Sequence, residues 1–345
     1  MGQTFCDKQK FNLDKEKTKK IITFFLILSG CLLCCLLMDF KWGIHYAIND
    51  DVAMREIVSG IRSGVPDGHA VYIKYPLGWA LMCLYKVNSV LDWYGMFMLG
   101  TVVLSWALVL YRVFYLVKSP VLKIGLMGMV TYLFIGHIFA LQWTMCAAIS
   151  GVSAVMFYLT VHSEDKHVEI FEKTISIFLL VICYVIRDKV FWLVAACSFF
   201  SVCYKEFISL ENKKEAAQKT IKIFGFVLLM IGAVEAIDVM AYSNAEWKSY
   251  FEFNRSRSLV YDYYGIPDYD THRVFYESEE IPRTTYENLN NYGFIYDENV
   301  DTELLSTIAD YSKGYSQTAS FKENIYRFLG TFFSHDGSIM IFLAL

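Results

Sequence analysis

Long apolar runs, separated by short polar segments, fill most of the chain up to residue 242. A helix needs about 20 mostly apolar residues to cross the hydrocarbon core of a bilayer. The last run begins near Ile325 and reaches Leu345. The pattern predicts an all-α polytopic membrane protein with about eight spans. The other runs cover Ile21–Met38, Trp93–Val117, Ile124–Phe139, Thr144–Val161, Ile175–Ile186, Val190–Tyr204 and Ile221–Tyr242.

Composition supports a chain that lies in a lipid bilayer. Hydrophobic residues make up 55% of the sequence and charged residues 19%, with a mean hydropathy of +0.36. Soluble domains usually carry about 25% charged residues. The net charge of −4 gives no basic field for phosphates, so nucleic acid is not an expected partner. Most of the nine cysteines lie in apolar runs, where a free thiol behaves as a small hydrophobe.

Lysine and arginine set the orientation of membrane proteins, because short cytoplasmic loops are enriched in them. Residues 1–20 are therefore expected in the cytoplasm. Residues 21–242 form the predicted bundle, with an external loop at 41–91, and 325–345 start a further span. Residues 243–324 are expected outside, and they contain no cysteine, which suits a bacterial plasma membrane. The loops placed inside carry Arg112, Lys118 and Lys123, then Lys205, Lys213, Lys214, Lys219 and Lys222, whereas the loop at 162–173 is acidic.

Two places in the spans allow alternative interpretations. Between Ile175 and Tyr204, three charged residues separate two short apolar runs, so the segment is either two helices or one long helix. Two helices are favoured, because one helix would move the lysine-rich loop outside. Leu28–Cys31 also matches a lipoprotein cleavage pattern, but the apolar run continues to Met38, which favours an uncleaved helix.

The first external loop predicts two short helices. Residues Ile48–Ile61 place apolar side chains at helical spacing, which indicates a helix for the membrane interface. Asn49 or Asp50 is expected to cap its start by accepting hydrogen bonds from free N–H groups. Residues Tyr75–Val87 predict a second short helix that leads into the span at Trp93.

The adjacent carboxylates Asp50 and Asp51 are the strongest chemical feature of this loop. Such a pair can coordinate a divalent cation, Mg²⁺ or Mn²⁺, or take a proton from an attacking hydroxyl. It can equally serve as a helix cap with a neighbour favoured by the helix dipole. His69 is a third polar candidate for binding a substrate, and it can also be a solvated loop residue.

The layout of this region resembles the GT-C superfamily of integral-membrane glycosyltransferases. The resemblance rests on a first span, an external loop opening with Asn49-Asp50-Asp51, and Pro76-Leu77 at the head of the second short helix. It covers roughly residues 20–240. Members include protein O-mannosyltransferases and aminoarabinose transferases, and their donors are polyprenyl-phosphate-linked sugars. The resemblance implies that Asp50 or Asp51 is a base or metal ligand. Lys74 and Tyr75 stand where a histidine often precedes the Pro-Leu pair.

Charged residues near membrane depth usually face a cavity or a partner. Arg187 and Lys189 lie between two short predicted helices and could hold the phosphate of a lipid-linked donor, since the planar guanidinium binds phosphate oxygens in pairs. An interfacial turn with an Arg187–Asp188 pair is the alternative. Glu235 and Asp238 share one helix face and are expected to pair with Arg187 or Lys189.

Residues 243–324 are acidic and rich in tyrosine, with 15 acids, 7 bases and 11 of the 24 tyrosines. Carboxylates and aromatic rings suit sugars, and tyrosines also fill small cores. Asn254, Arg255 and Arg257 lie in its densest aromatic part and are candidate substrate-binding residues. Simple packing is the alternative.

Together these features predict transfer of a sugar from a polyprenyl-phosphate carrier to a glycan, lipid or protein acceptor at the external face. One alternative is a flippase or transporter of a lipid-linked saccharide, which would use the same charged cavity without a base. Another is a membrane scaffold, whose function would depend mainly on residues 243–322. Replacement of an aspartate of the pair by asparagine separates the enzyme from both.

Overall fold

A computed structural model describes residues 2–161, 166–209, 213–293 and 297–315 of the chain. The chain divides after Ala241 into two compact units. The helices of the first unit are α1 (Gly2–Trp42), α2 (Asn49–Ser59), α3 (Tyr75–Val87), α4 (Trp93–Leu116), α5 (Pro120–Phe139), α6 (Trp143–Leu159), α7 (Lys166–Ile186), α8 (Asp188–Ser209) and α9 (Lys213–Ala241). The second unit contains α10 (Ala245–Ser258), a π-helical turn (Leu259–Tyr264), α11 (Arg273–Ser278), α12 (Arg283–Asn290) and α13 (Thr302–Tyr315).

Five helices of the described chain are long and apolar enough to cross a membrane: Thr18–Trp42, α4, α5, Asp188–Ile208 and Ala217–Ala241. They confirm a helical, membrane-embedded protein but not the predicted count of about eight spans. Helix α6 is apolar but has only 17 residues. Helix α7 carries charged residues in its first two turns. The predicted run from Ile325 to Leu345 lies outside the described residues.

The helix boundaries follow from local sequence signals. Helix α3 covers the predicted residues Tyr75–Val87 and has a proline in its first turn, where a missing N–H costs nothing. Ser119 caps α5 with its side chain, and Pro120 follows at the first helical position. Helix α7 ends at Ile186 and α8 begins at Asp188, so the two-helix interpretation of this segment is confirmed.

A short two-stranded parallel sheet connects the segments that follow α1 and α5. Strand β1 (His45–Tyr46), after α1, pairs with β2 (Ala140–Leu141), after α5, with His45 opposite Ala140. The amide of Ala47 continues the pairing and donates to the carbonyl of Leu141 at 2.8 Å. The ends of α1 and α5 therefore lie side by side, next to α2.

The core of the first unit includes α2 and α3 as well as the long helices. Met54 and Val58 of α2 are fully buried, together with Tyr94 and Met98 of α4. Helix α2 therefore buries its apolar face in protein, and it ends at Gly60, whose φ of 73° is in the left-handed region that glycine tolerates. This burial places the acidic start of α2 against the bundle.

The second unit has its own core, in which tyrosine has a structural role. Tyr276 is fully buried and donates to the carbonyl of Pro267 at 2.5 Å. Tyr261 donates to the carbonyl of Leu289 at 2.6 Å. The packing interpretation of the tyrosine-rich segment accounts for these residues, since each ring is packed while its hydroxyl has a partner. The core also contains Val260, Phe275, Leu305 and Ile308.

Candidate functional site

The candidate site lies at one end of the first unit, called here the Asp51 end. Helices α1, α5, α7 and α9 finish at this end, whereas α4, α6 and α8 begin there, and α2 and α3 lie across it. The opposite end, where α8 finishes and α9 begins, is called the Glu206 end. Every predicted site residue of the first unit lies at the Asp51 end.

Asp51 is fully buried and serves as a junction between three helices. Its Oδ1 accepts a hydrogen bond from the Tyr94 hydroxyl at 2.7 Å and one from the Trp143 backbone N–H at 3.1 Å. Burial raises the pKa of Asp51 from 3.8 to about 6, although the hydrogen bonds from Tyr94 and Trp143 favour the ionised form. The carboxylate thus connects α2 to the starts of α4 and α6.

Asp50 is the accessible member of the acidic pair. It lies in the first turn of α2 and is half-buried. The predicted cap by Asn49 or Asp50 is wrong: the helix begins at Asn49, so Ile48 is the cap residue, and no side chain accepts a capping hydrogen bond. The Asp50 carboxylate is therefore not used for capping.

The pair offers a divalent cation few oxygen ligands. Among the described residues, no group of three or more His, Cys, Asp or Glu is placed to hold a metal ion. Both Asp51 oxygens lie within 3.4 Å of the Trp143 amide, and Oδ1 also accepts from Tyr94. A cation would need several oxygen ligands and would compete with these donors. Binding of Mg²⁺ or Mn²⁺ by Asp50 and Asp51 stays a prediction.

Arg187, at the break between α7 and α8, meets the same tryptophan. Its guanidinium carbon lies 4.0 Å from the centre of the Trp143 ring, within the range of a cation–π contact. Asp51 thus holds the backbone of Trp143 while Arg187 covers its ring. Lys189, the second predicted phosphate ligand, is exposed, and its backbone N–H is bound by Asp188 at 2.7 Å.

Lys74 forms an ionic cluster that sequence reasoning missed. Its ammonium lies 2.7 Å from Glu235, 3.2 Å from Asp238 and 3.7 Å from Asp188. Burial disfavours the charged lysine, but the bonds and charges of the carboxylates outweigh this and raise the pKa of Lys74 above its usual range. Lys74 is thus a cation that meets Glu235 and Asp238, whereas their pairing with Arg187 or Lys189 stays a prediction. The sequence signal that could have indicated this cluster is Lys74 itself, a single lysine just before Pro76-Leu77.

His69 is held within the loop that joins α2 to α3. Its Nδ1 lies 2.6 Å from Asp67 and its Nε2 lies 3.3 Å from the carbonyl of Ala241. Its ring centre is 4.7 Å from that of Tyr75. Burial favours a higher pKa for Asp67, but the hydrogen bonds from His69 outweigh burial and hold the pKa of Asp67 below its usual value. The predicted role of His69 in binding a substrate is untested.

A second polar network fixes the start of α4. Asp92 accepts from the hydroxyls of Tyr46 at 2.5 Å and Tyr85 at 2.8 Å, and from the amide of Gly95 at 3.1 Å. Arg55 of α2 adds an ion pair at 3.3 Å. Burial raises the pKa of Asp92, and these donors reverse the shift, so its pKa is below the usual value. The network positions Tyr94, which donates to Asp51.

The other predicted binding residues lie together on α10 of the second unit. Arg257 donates from Nε to Asn254 Oδ1 at 3.1 Å, while Arg255 is exposed. This hydrogen bond occupies the Asn254 amide oxygen and the Nε–H of the Arg257 guanidinium. The three residues belong to the second unit, which the structure describes by itself.

Comparisons of the chain with protein-family models, with curated proteins and with solved structures find no match. The arrangement of residues at the Asp51 end is consequently the basis for a functional conclusion. It combines the buried Asp51 carboxylate and the Arg187 guanidinium at Trp143, with the half-buried Asp50 next to Asp51 in α2.

Proposed function

We propose that this protein is a membrane glycosyltransferase that moves a sugar from a polyprenyl-phosphate carrier to a glycan, lipid or protein acceptor. The proposal places the reaction at the external face of a bacterial plasma membrane, with the N-terminus in the cytoplasm. It rests on the resemblance of the first loop to GT-C glycosyltransferases and on the contacts at the Asp51 end. The observation that carries it is the meeting of Asp51 and Arg187 on Trp143.

In the proposed reaction, the Asp50 carboxylate accepts the proton of the acceptor hydroxyl. The acceptor oxygen forms a bond to the anomeric carbon of the sugar, while the bond from that carbon to the phosphate oxygen breaks. The phosphate leaves with the bonding electron pair and remains on the polyprenyl chain. Positioned donors that meet developing charge lower the barrier of such a step, and Arg187 supplies two N–H groups in the geometry that phosphate favours.

Asp51 is a positioning residue in this scheme, because its carboxylate is buried and bound by protein donors. It holds the Trp143 backbone, and the Trp143 ring supports the Arg187 guanidinium. A bound divalent cation would add charge to neutralise the phosphate, and Asp50 and Asp51 are the residues that would hold it. The steps assigned to Asp50 and Arg187 do not depend on that cation.

The test compares variants of the full chain in cells that lack the native gene. Surface glycans and lipid-linked sugars are first compared with and without the gene, which identifies the missing product. Asp50→Asn should then abolish formation of that product while the amount of protein in the membrane is unchanged. Glu56→Gln is the matched control, because Glu56 is on the same helix and pairs with the exposed Arg62 at 2.5 Å.

Full product formation by Asp50→Asn would contradict the proposed base. If Asp51→Asn also retained full activity, a flippase would explain the data better, since moving a lipid-linked saccharide requires no base. Loss of function on removing residues 243–315 alone would indicate the scaffold.

A further inference from the structure

An apolar groove lies between α6, α7, α8 and α9, away from the acidic pair. Its volume is about 380 Å³, and most of its lining is apolar, including Leu180, Phe191 and Phe224. This volume is within the range of small-ligand sites, about 300–1,000 Å³. Trp192 and Leu228 line the groove and remain 51% and 53% exposed, so it opens at the side of the bundle.

The opening falls within two helices that are long and apolar enough to span a membrane, Asp188–Ile208 and Ala217–Ala241. Bilayer lipid therefore faces it. A polypeptide segment would need to satisfy its backbone hydrogen bonds in that environment, whereas an alkyl chain has none to satisfy. The groove consequently suits the chain of a lipid.

A charged cluster adjoins the groove at the Glu206 end. Tyr158 lines the groove, and its hydroxyl donates to Glu206 Oε1 at 2.6 Å. The ammonium groups of Lys205 and Lys173 lie 4.8 Å and 5.6 Å from the centre of the Tyr158 ring. Lys219 lies 3.1 Å from Glu206 Oε2, one turn before the groove residue Ile223.

The cluster, defined as Lys173, Lys205, Lys219, Glu169 and Glu206, contains one more cation than anions. Glu169 pairs with Lys173 at 2.6 Å and with Lys219 at 3.6 Å. Lys205 donates to two backbone carbonyls, those of Tyr158 and of Val161. Three ammonium groups against two carboxylates leave a charge of +1 within these five side chains. A phosphodiester, which carries one negative charge, would balance it.

We propose that this groove and cluster form a binding site for one anionic phospholipid. Its acyl chain lies in the groove between α8 and α9, and its phosphodiester binds the lysines at the Glu206 end, with Lys219 the most accessible of them. The side chain of Lys219 is 36% exposed, compared with 13% for Lys173. The charged cluster is at the opposite end of the bundle from Asp51, and the site does not depend on the proposed glycosyltransferase reaction.

The test measures lipid binding to the purified full chain by native mass spectrometry. The delipidated protein is titrated with phosphatidylglycerol and with phosphatidylethanolamine of the same acyl chains. We expect phosphatidylglycerol to bind about tenfold more tightly, which corresponds to one charge-assisted contact. Lys219→Gln should remove most of that difference. Lys123→Gln is the matched control, because Lys123 lies in the first turn of α5, away from the groove lining, and its ammonium lies 4.6 Å from the centre of the Phe114 ring of α4.

A second variant tests the groove without changing any charge. Ala196 lines the groove at an exposed position, so Ala196→Phe fills the groove without overpacking the core and should weaken binding of both lipids. Three results would overturn the proposal: equal affinity of wild type for the two lipids, unchanged lipid binding by both variants, or displacement of phosphatidylglycerol by soluble glycerol phosphate. A dimer that Ala196→Phe dissociates would identify a second copy of the chain as the occupant instead.

Discussion

Asp50 and Asp51 are neighbours in sequence with different surroundings. The helical turn directs Asp51 into the protein, where Tyr94 and Trp143 supply hydrogen bonds, and leaves Asp50 half-buried. Burial of a carboxylate favours its protonated form. The two residues should therefore respond differently to substitution.

The first prediction concerns the pH dependence of stability. The pKa of Asp51 is about 6 in the folded protein and 3.8 as its ordinary value. The folded state therefore binds this proton more tightly. The contribution of the protonated Asp51 to the free energy of unfolding is fully present below about pH 4. It decreases by up to roughly 3 kcal/mol as the pH rises through 6.

Asp51→Asn should remove that part of the pH dependence, since the amide does not ionise and its oxygen can still accept from Tyr94 and Trp143. The measurement is the free energy of unfolding in detergent between pH 4 and pH 7.5. Asp50→Asn serves as the control. An unchanged slope in Asp51→Asn would show that Asp51 does not titrate in this range.

The second prediction concerns Arg187. If its guanidinium holds the donor phosphate, Arg187→Ala should weaken binding of polyprenyl phosphate about tenfold or more, and Arg187→Lys should restore only part of it. Lys189→Ala, next to it and exposed, should have a small effect. Affinities are measured with purified protein in detergent. The alternative is that Arg187 only forms an interfacial pair with Asp188, which would contribute about 0–1 kcal/mol to stability. Wild type, Arg187→Ala and Arg187→Lys would then bind polyprenyl phosphate with equal affinity.

At the level of elements, α3 is attached to the bundle through its first residues. The Lys74 amide donates to the carbonyl of Val185 at 2.8 Å, and the Tyr75 amide donates to Asp238 at 2.6 Å. The Lys74 side chain adds its ionic cluster with α8 and α9. One short segment thus joins α3 to three other helices.

The third prediction tests this attachment. Lys74→Met should destabilise the protein by about 3 kcal/mol, because it leaves partly buried carboxylates without their cation. Lys86→Met is the control on the same helix: Lys86 is exposed, so the change should stay within about 0.5 kcal/mol. Unfolding in detergent measures both. A Lys74→Met, Asp238→Asn double variant should recover part of the loss, whereas simple additivity would argue against direct coupling.

The fourth prediction concerns the fit of the loop against α3. A β-carbon on Gly78 would overlap the carbonyl oxygen of Gly68. Gly78→Ala should therefore cost about 1–3 kcal/mol, as expected for overpacking. Gly100→Ala in α4 is the control, because nothing lies within 4 Å of its added carbon and alanine favours a helix. Equal thermal stability of both variants would mean that the loop moves aside without cost.

At the level of the whole molecule, the ends at which the helices begin and finish are consistent with helices that cross the membrane in alternating directions. Helices α1 and α5 finish at the Asp51 end, where β1 and β2 pair, and α9 finishes there beside Lys74. If α6 and α7 cross the membrane as well as the five apolar helices, the loop at 41–91 and the end of α9 at Ala241 lie on the same face. The lysine-rich start of α9 then lies on the other face, as the charge bias prefers.

The fifth prediction tests this topology with single cysteines in a background without the native ones. Cysteines at Val65 and Tyr263, both exposed, should react with an impermeant maleimide in intact cells. A cysteine at the exposed Lys214 should react only after lysis. Labelling of position 214 in intact cells would reverse the orientation and place the acidic pair in the cytoplasm.

The apolar helices of the first unit were largely predictable from the sequence alone, whereas helices α10 to α13 of the second unit were not predicted. Apolar runs and turn-forming residues are local signals, and they determined the bounds of α3 and the break at Arg187. Helix α2 was also predicted, apart from its cap: the choice between Ile48 and Asn49 depends on one residue of backbone geometry. Local hydrogen bonding explains why these features need no information from distant parts of the chain.

Only the tertiary structure decided which polar residues meet. Asp51 and Trp143 are 92 positions apart, and Lys74 and Asp238 are 164 apart. Hydrophobic periodicity predicts which face of a helix is buried, but it does not say which helix covers that face. The burial of Asp51 and the partner of Glu235 both depend on that choice, because charge and hydrogen bonding act through space between helices that packing brings together.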